Sequence, residues 1–144
     1  MAYWLFKSEP DTFSWDDEVK SGAKGEVWSG VRNHQAKLNL MKMKKGDRGF
    51  FYHSGGSKEI VGVVEVIREQ YPDPTAKPGE RSAGSWVVVD IKAVEPLQKP
   101  VGLAAVKAEP RLKAMVLANN TRLSVQPVTA DEWKLVCKMG GVKA

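Results

Sequence analysis

Three stretches limit what this chain can fold into: "RGFFYHS" (48–54), "EIVGVVEVIRE" (59–69) and "GSWVVVDIKAV" (84–94). Each is apolar at consecutive positions, not at alternate ones. Successive side chains of a strand point to opposite faces, so such runs need a cover on both. "AYWLFKS" (2–8) has the same character until Lys7, and "GEVWS" (25–29) and "RLSVQPV" (122–128) read as further strands. Several such strands in 144 residues favour a small barrel or a strongly curled sheet, which leaves little exposed edge. One domain, residues 1–144, accounts for the length.

The helical segments supply the covers. "SWDDEVKSG" (14–22) offers Ser14 as N-cap, acidic residues in its first turn and Gly22 as its stop. "NHQAKLNLMKMKKG" (33–46) places Ala36, Leu40 and Met43 on one stripe, with Asn33 as N-cap. "LAAVKAEPRLKAMVLANN" (103–120) is helical in two parts, divided at Pro110, with Leu112, Met115 and Val116 sharing a face of the second. "TADEWKLVCKMGG" (129–141) has Thr129 and Glu132 at capping-box spacing and puts Trp133, Val136 and Cys137 on one face. Between two strand patterns, residues 71–85 hold three prolines and two glycines and read as a long loop.

Composition narrows the function classes. A single Cys137 forms no internal disulfide, and no Cys/His spacing fits zinc. Neither a signal peptide nor a run of membrane-spanning length is present, so a reducing, cytoplasmic setting is expected, without metal, cofactor or membrane. A net charge of +5 leans toward polyanionic partners, although each basic cluster taken alone reads as a solvated face.

Four strand ends turn polar. In "FKSEP" (6–10), Lys7 and Glu9 point one way and Ser8 the other, before Pro10 ends the strand. "FYHSG" (51–55) ends in His53 and Ser54; "RLSVQP" (122–127) puts Ser124 and Gln126 on the face of Arg122. Each has a plain structural reading: a surface ion pair, a satisfied histidine, an edge strand that tolerates Pro127. The fourth is "GEVWSGVRNHQA" (25–36), where Trp28 meets Ser29-Gly30 and then Arg32-Asn33-His34-Gln35. Trp28 is either core filler at a strand end or the wall of a pocket on which a flat ligand stacks.

Taken in order, "YWLFKSEP", "WSGVRNHQA", "GDRGFFYHS", "IVGVVEV" and "RLSVQPVTADEW" span nearly the whole chain. Together they resemble the EVE-domain family of the PUA-like superfamily. His34 stands where many of that family carry Tyr. The resemblance implies an α+β fold: a curved, mostly antiparallel five- or six-stranded β-barrel with helices packed around it. It also implies a non-catalytic reader of a modified base, modified cytosine above all, in DNA or RNA. On that likeness the pocket draws on Lys7, Ser8, Glu9, Trp28, Ser29, Gly30, Asn33, His53, Ser54, Ser124, Val125, Gln126 and Pro127. Arg32, Lys37, Lys42, Lys44 and Arg122 would hold phosphates, and a monomer suffices. The rival is a small amidohydrolase acting on modified nucleosides, with Lys7 and Glu9 as its working groups.

Overall fold

The computed structural model describes residues 1–75, 86–120 and 122–144. Among them, six strands form one sheet in the order β2-β5-β4-β3-β1-β6. The strands are β1 (Tyr3–Ser8), β2 (Glu26–Val27), β3 (Arg48–His53), β4 (Glu59–Pro72), β5 (Val87–Gly102) and β6 (Val125–Val128). The helices are α1 (Trp15–Lys20), α2 (His34–Lys42), α3 (Leu103–Ala108), α4 (Val116–Asn119) and α5 (Ala130–Gly140).

The doubly apolar runs are covered as their pattern requires. Leu5, Phe50, Tyr52 and Ile60 face a core closed by Val106, Leu112, Leu117, Trp133 and Val136 from the C-terminal helical segments. Trp4, Phe6, Phe51, Val64 and Val66 face a second core closed by Trp15 of α1 and by Ala36 and Leu40 of α2. Neighbours along one strand, Leu5 and Phe6, or Phe50 and Phe51, thus serve opposite cores. Gly62 is what lets α1 dock: a Cβ there would lie 2.4 Å from the Trp15 ring.

The expected barrel does not close. The sheet ends at β2 on one side and β6 on the other. Helix α2 packs against both β5 and β6, and the Asn39 amide donates to the Val125 carbonyl at 2.7 Å. A helix therefore stands where closing strand-to-strand bonds would run, and it satisfies the edge strand through a side chain. Register shifts between Ile60 and Gly62 and along Val63–Tyr71 coil the long β4–β5 pair, which bends the sheet without sealing it.

The pairing is mostly antiparallel, as expected, but β1 and β3 run parallel, with Lys7 opposite Tyr52 and Ser8 opposite His53. Parallel strands finish at the same end of a sheet, so this pair gathers two polar strand ends. Strand β6 runs antiparallel to β1, so its start, beside Ser124, arrives at that same end.

The helices begin where their caps put them, but α1 ends at Lys20 and Gly22, the expected stop, opens a 3₁₀ turn (Gly22–Lys24). Ser14 and Thr129 each form a capping box, with Asp17 and Glu132, and Asn33 accepts from the Ala36 amide at 2.9 Å. Pro110 does divide its segment, but the second part consists of a 3₁₀ turn (Pro110–Leu112) and the four-residue α4. Strands β2 and β6 are shorter than their sequence patterns, and β4 runs on through Tyr71 and Pro72, positions expected in the loop. Residues 76–85 of that expected loop lie outside the described residues. Cys137 is wholly buried; burial lifts its thiol pKa to about 11, so it packs as a small hydrophobe. Among the described residues, no helix is long and apolar enough to cross a membrane.

Candidate functional site

The gathered strand ends open onto a cavity of about 710 Å³. Its wall combines Lys7, Ser8 and Glu9 from the end of β1, Phe13, Glu26 and Val27 of β2, and Ser124 ahead of β6. The run from Trp28 to Asn33 completes it. Residues at both edges of the open sheet thus meet around one space, with α2 packed against β5 and β6.

Trp28 is half-buried and forms part of this wall. Its backbone N–H donates to the Val89 carbonyl at 2.8 Å, extending the β2–β5 ladder by one residue. Its indole sits against Phe6 (5.3 Å, 70°), Phe51 (5.9 Å, 82°) and Phe13 (6.4 Å, 79°). These edge-type contacts fix the ring without a second ring stacked parallel upon it. A flat ligand lying on either Trp28 or Phe13 meets the other edge-on.

The polar groups are held by the fold. The Lys7 N–H donates to the Ser124 carbonyl at 2.9 Å, which pins the two cavity segments together. Burial lowers the Lys7 pKa, and its ammonium lies 5.7 Å from the centre of the Tyr52 ring. The Ser8 hydroxyl donates to the Phe13 carbonyl, and the Glu9 carbonyl accepts from the Thr12 and Phe13 amides. Ser8 therefore places an aromatic wall that sequence reasoning missed.

The EVE domain family model matches residues 2–139. This chain belongs to the EVE domain family. Among solved structures, the EVE chain is similar to Rpa0253 from Rhodopseudomonas palustris, with 63% identity, a TM-score of 0.90, and coverage of 98% of this chain and 94% of that one. It is also similar to human THYN1 (thymocyte nuclear protein 1), solved in complex with DNA containing 5-methylcytosine. There the identity is 30% and the TM-score 0.88, with all of both chains covered. A YTH domain from Zygosaccharomyces rouxii, at 16% identity and a TM-score of 0.57, covers 99% of this chain and 86% of its own and shares the fold.

Of the residues the sequence singled out, Lys7, Ser8, Glu9, Trp28, Ser29, Gly30, Asn33 and Ser124 line one cavity of this EVE domain, and Arg32 joins them. The others lie outside its lining. His53 Nε2 accepts from the Trp15 N–H at 3.0 Å, a bond that needs a neutral ring; burial lowers its pKa accordingly. Ser54 donates its N–H to the Ser8 carbonyl at 2.9 Å, so both residues brace the cavity from behind. Val125 is fully buried in the second core. The Gln126 amide donates to the Asn120 and Leu123 carbonyls. Pro127 is exposed opposite Trp4.

The basic residues separate into groups. The Arg32 guanidinium and the Lys37 ammonium lie 5.5 and 5.9 Å from the centre of the Trp86 ring, close to the cavity. Lys42 and Lys44 border a smaller hollow of about 380 Å³ with Met1 and Asp47, past the far end of α2. Nine helical residues separate the two ends by roughly 13 Å. Arg122 is exposed two positions before Ser124.

One buried acid near the site was not foreseen. Glu18 of α1 has no solvent exposure, and neither carboxyl oxygen meets a hydrogen-bond partner among the described residues. Burial first, and the Glu26 carboxylate second, raise its pKa to about 8. The unfolded chain releases this proton near the ordinary carboxylate value of 4.5, so the native state binds more protons between the two. Raising the pH across that window therefore draws the chain toward the unfolded state, and the loss levels off above about 8. Thermal melts should show a Tm that falls from pH 5 to pH 8. Glu18→Gln should flatten that slope and melt higher than wild type at pH 8; parallel profiles for the two proteins would refute the assignment.

Proposed function

We propose that this protein is a non-catalytic reader of a modified base, with modified cytosine as the preferred target. The observation that carries the reading is the half-buried Trp28, facing a cavity rimmed by polar strand ends. The human relative's complex with 5-methylcytosine DNA supports the class of ligand. The target base leaves its stack and lies against Trp28, with Phe13 meeting its edge. Lys7, Ser8, Glu9 and Ser124, together with Asn33 at the start of α2, present donors and acceptors to its polar rim. Extrusion costs a few kcal/mol, and aromatic stacking, at about 1–3 kcal/mol per base, offsets most of it. Hydrogen bonds that a mismatched base would leave unmade supply the discrimination.

Arg32, which lines the cavity, takes a flanking phosphate together with Lys37 and Arg122. Lys42 and Lys44 track the backbone further along, so affinity falls steeply as salt rises. The test is a titration of labelled oligonucleotides, DNA and RNA, single- and double-stranded, each with plain or 5-methylated cytosine at fixed salt. Tighter binding of one modified oligonucleotide than its plain counterpart is expected. Equal, salt-sensitive binding of all would leave a nonspecific basic surface.

The lowered pKa of Lys7 is the feature that favours an amidohydrolase acting on modified nucleosides, with Glu9 as the second group, since burial that makes the ammonium easier to deprotonate favours a lysine base or nucleophile. Incubation with acylated nucleosides followed by mass spectrometry decides it: turnover that Lys7→Ala abolishes would replace the reader assignment.

A further inference from the structure

The chain from Trp28 to Asn33 carries the proposed base-stacking residue, yet it belongs to no helix or strand. Gly30 turns it with φ +78°, and a Cβ there would meet nothing within 4 Å. Conformation, not crowding, requires glycine at that point. A turn with open space around it needs an anchor from elsewhere, and Asp73 supplies one. Its side chain is fully buried although it belongs to neither apolar core. One carboxylate oxygen accepts from the Gly30 N–H at 3.0 Å and from the Arg32 guanidinium at 2.9 Å. The other accepts from the Thr75 N–H at 2.7 Å and the Thr75 hydroxyl at 2.6 Å. Its own N–H donates to the Trp86 carbonyl at 2.9 Å, which fixes Asp73 at the end of the β4–β5 pair.

A buried carboxylate is tolerable only when such bonds replace water. Burial pushes the Asp73 pKa up, but the bonds from Thr75, Arg32 and Gly30 outweigh it and hold the group at about 2. The charge is therefore permanent under ordinary conditions. Two of its three partner residues, Gly30 and Arg32, line the cavity, more than forty positions away in sequence.

Resting on the reader assignment, we infer that Asp73 is the positioning residue for base recognition: it holds Gly30 and Arg32 so that Trp28 and the flanking cation present a preformed site. Asp73 itself touches no ligand. Without it the loop must be ordered at the moment of binding, and affinity falls by that ordering cost.

Two substitutions test this. Asp73→Asn removes the charge and one acceptor oxygen. Thr75→Val is the milder change, removing only the hydroxyl donor that orients the carboxylate. Amide exchange at Gly30, read by NMR without ligand, should accelerate by roughly tenfold to a hundredfold in Asp73→Asn, the scale of a hydrogen bond to a charged group. In Thr75→Val it should accelerate about threefold. The ratio of affinities for 5-methylcytosine and plain-cytosine oligonucleotides should fall with it, by about tenfold and threefold respectively. Exchange at the Trp133 N–H, which bonds the Thr129 carbonyl beside the opposite core, should stay unchanged in both variants, which a general loss of stability would not reproduce. If Asp73→Asn does not fold, Thr75→Val carries both readouts.

A wild-type protein that discriminates, with variants that discriminate equally well, overturns the positioning role and leaves the reader intact. A wild-type protein that binds both oligonucleotides equally overturns the reader assignment and this role with it; faster Gly30 exchange in the variants would then mark Asp73 as an anchor of the loop alone.

Discussion

Trp28→Ala lowers affinity for a 5-methylcytosine oligonucleotide by roughly tenfold to a hundredfold, and the variant binds modified and plain DNA alike. The size follows from stacking, at about 1–3 kcal/mol per base, with each 1.4 kcal/mol worth a factor of ten. The loss of discrimination follows from competition with the duplex. Extruding a base costs a few kcal/mol; without the indole the edge hydrogen bonds alone do not offset that cost, and the base stays stacked. What remains is contact between phosphates and Arg32, Lys37 and Arg122, which carries no information about the base. Trp28→Phe keeps a flat ring over Phe6 and Phe51 and should retain part of the preference. Fluorescence anisotropy at fixed salt reads both variants, with circular dichroism confirming that each is folded, because Trp28 also packs against the second core. A Trp28→Ala protein that still prefers the modified oligonucleotide by the wild-type ratio would remove the indole from the site.

Trp133→Ala has its largest effect on stability. This ring is 2% exposed and lies between Phe50, at 4.0 Å and 19°, and Tyr3, at 4.5 Å and 16°. It ties α5 to β1 and β3. Deleting a buried aromatic costs about 3–5 kcal/mol, a large share of the roughly 5–15 kcal/mol that stabilises a whole domain. For a chain of this length the melting temperature should drop by about 10–20 °C. Trp133 belongs to the core on the face away from Trp28. Below its lowered Tm, the variant should therefore bind the modified oligonucleotide within about twofold of wild type, since substitutions without shared partners act almost independently. A drop of less than about 3 °C would mean that the stacked triplet contributes little.

The pair of experiments separates two functions that the same sheet performs on its two faces. Residues next to each other along β1 and β3 alternate between a face closed by the C-terminal helices and a face that ends in the cavity. In β1, Phe6 supports Trp28, and Ser8, two residues on, holds Phe13. The ring that supports Trp28 and the serine that places Phe13 thus come from successive positions on one side of one strand.

Much of this was legible from local patterns. Consecutive apolar positions in 48–54 and 59–69 fixed a sheet covered twice, because the two-residue period of a strand leaves no other way to bury them. Ser14, Asn33 and Thr129 marked helix starts through side-chain chemistry that acts within three residues. Polar groups at the ends of β1 and β2 and before β6 pointed to the cavity, and Lys7, Trp28 and Ser124 do line it. His53 and Ser54 have the same sequence signature as Ser8, yet they bond α1 and β1 from outside the cavity lining.

The tertiary structure alone decided three things. Helix α2 packs on the β6 edge of the open sheet, where Asn39 bonds Val125 from 86 residues away. The parallel run of β1 beside β3 sets which strand ends meet. Asp73 reaches Gly30 and Arg32 across more than forty residues. Periodicity and capping are written into a few neighbouring residues, so a sequence states them directly. Which distant segments share a space depends on how the whole sheet curls, and no short stretch of chain contains that.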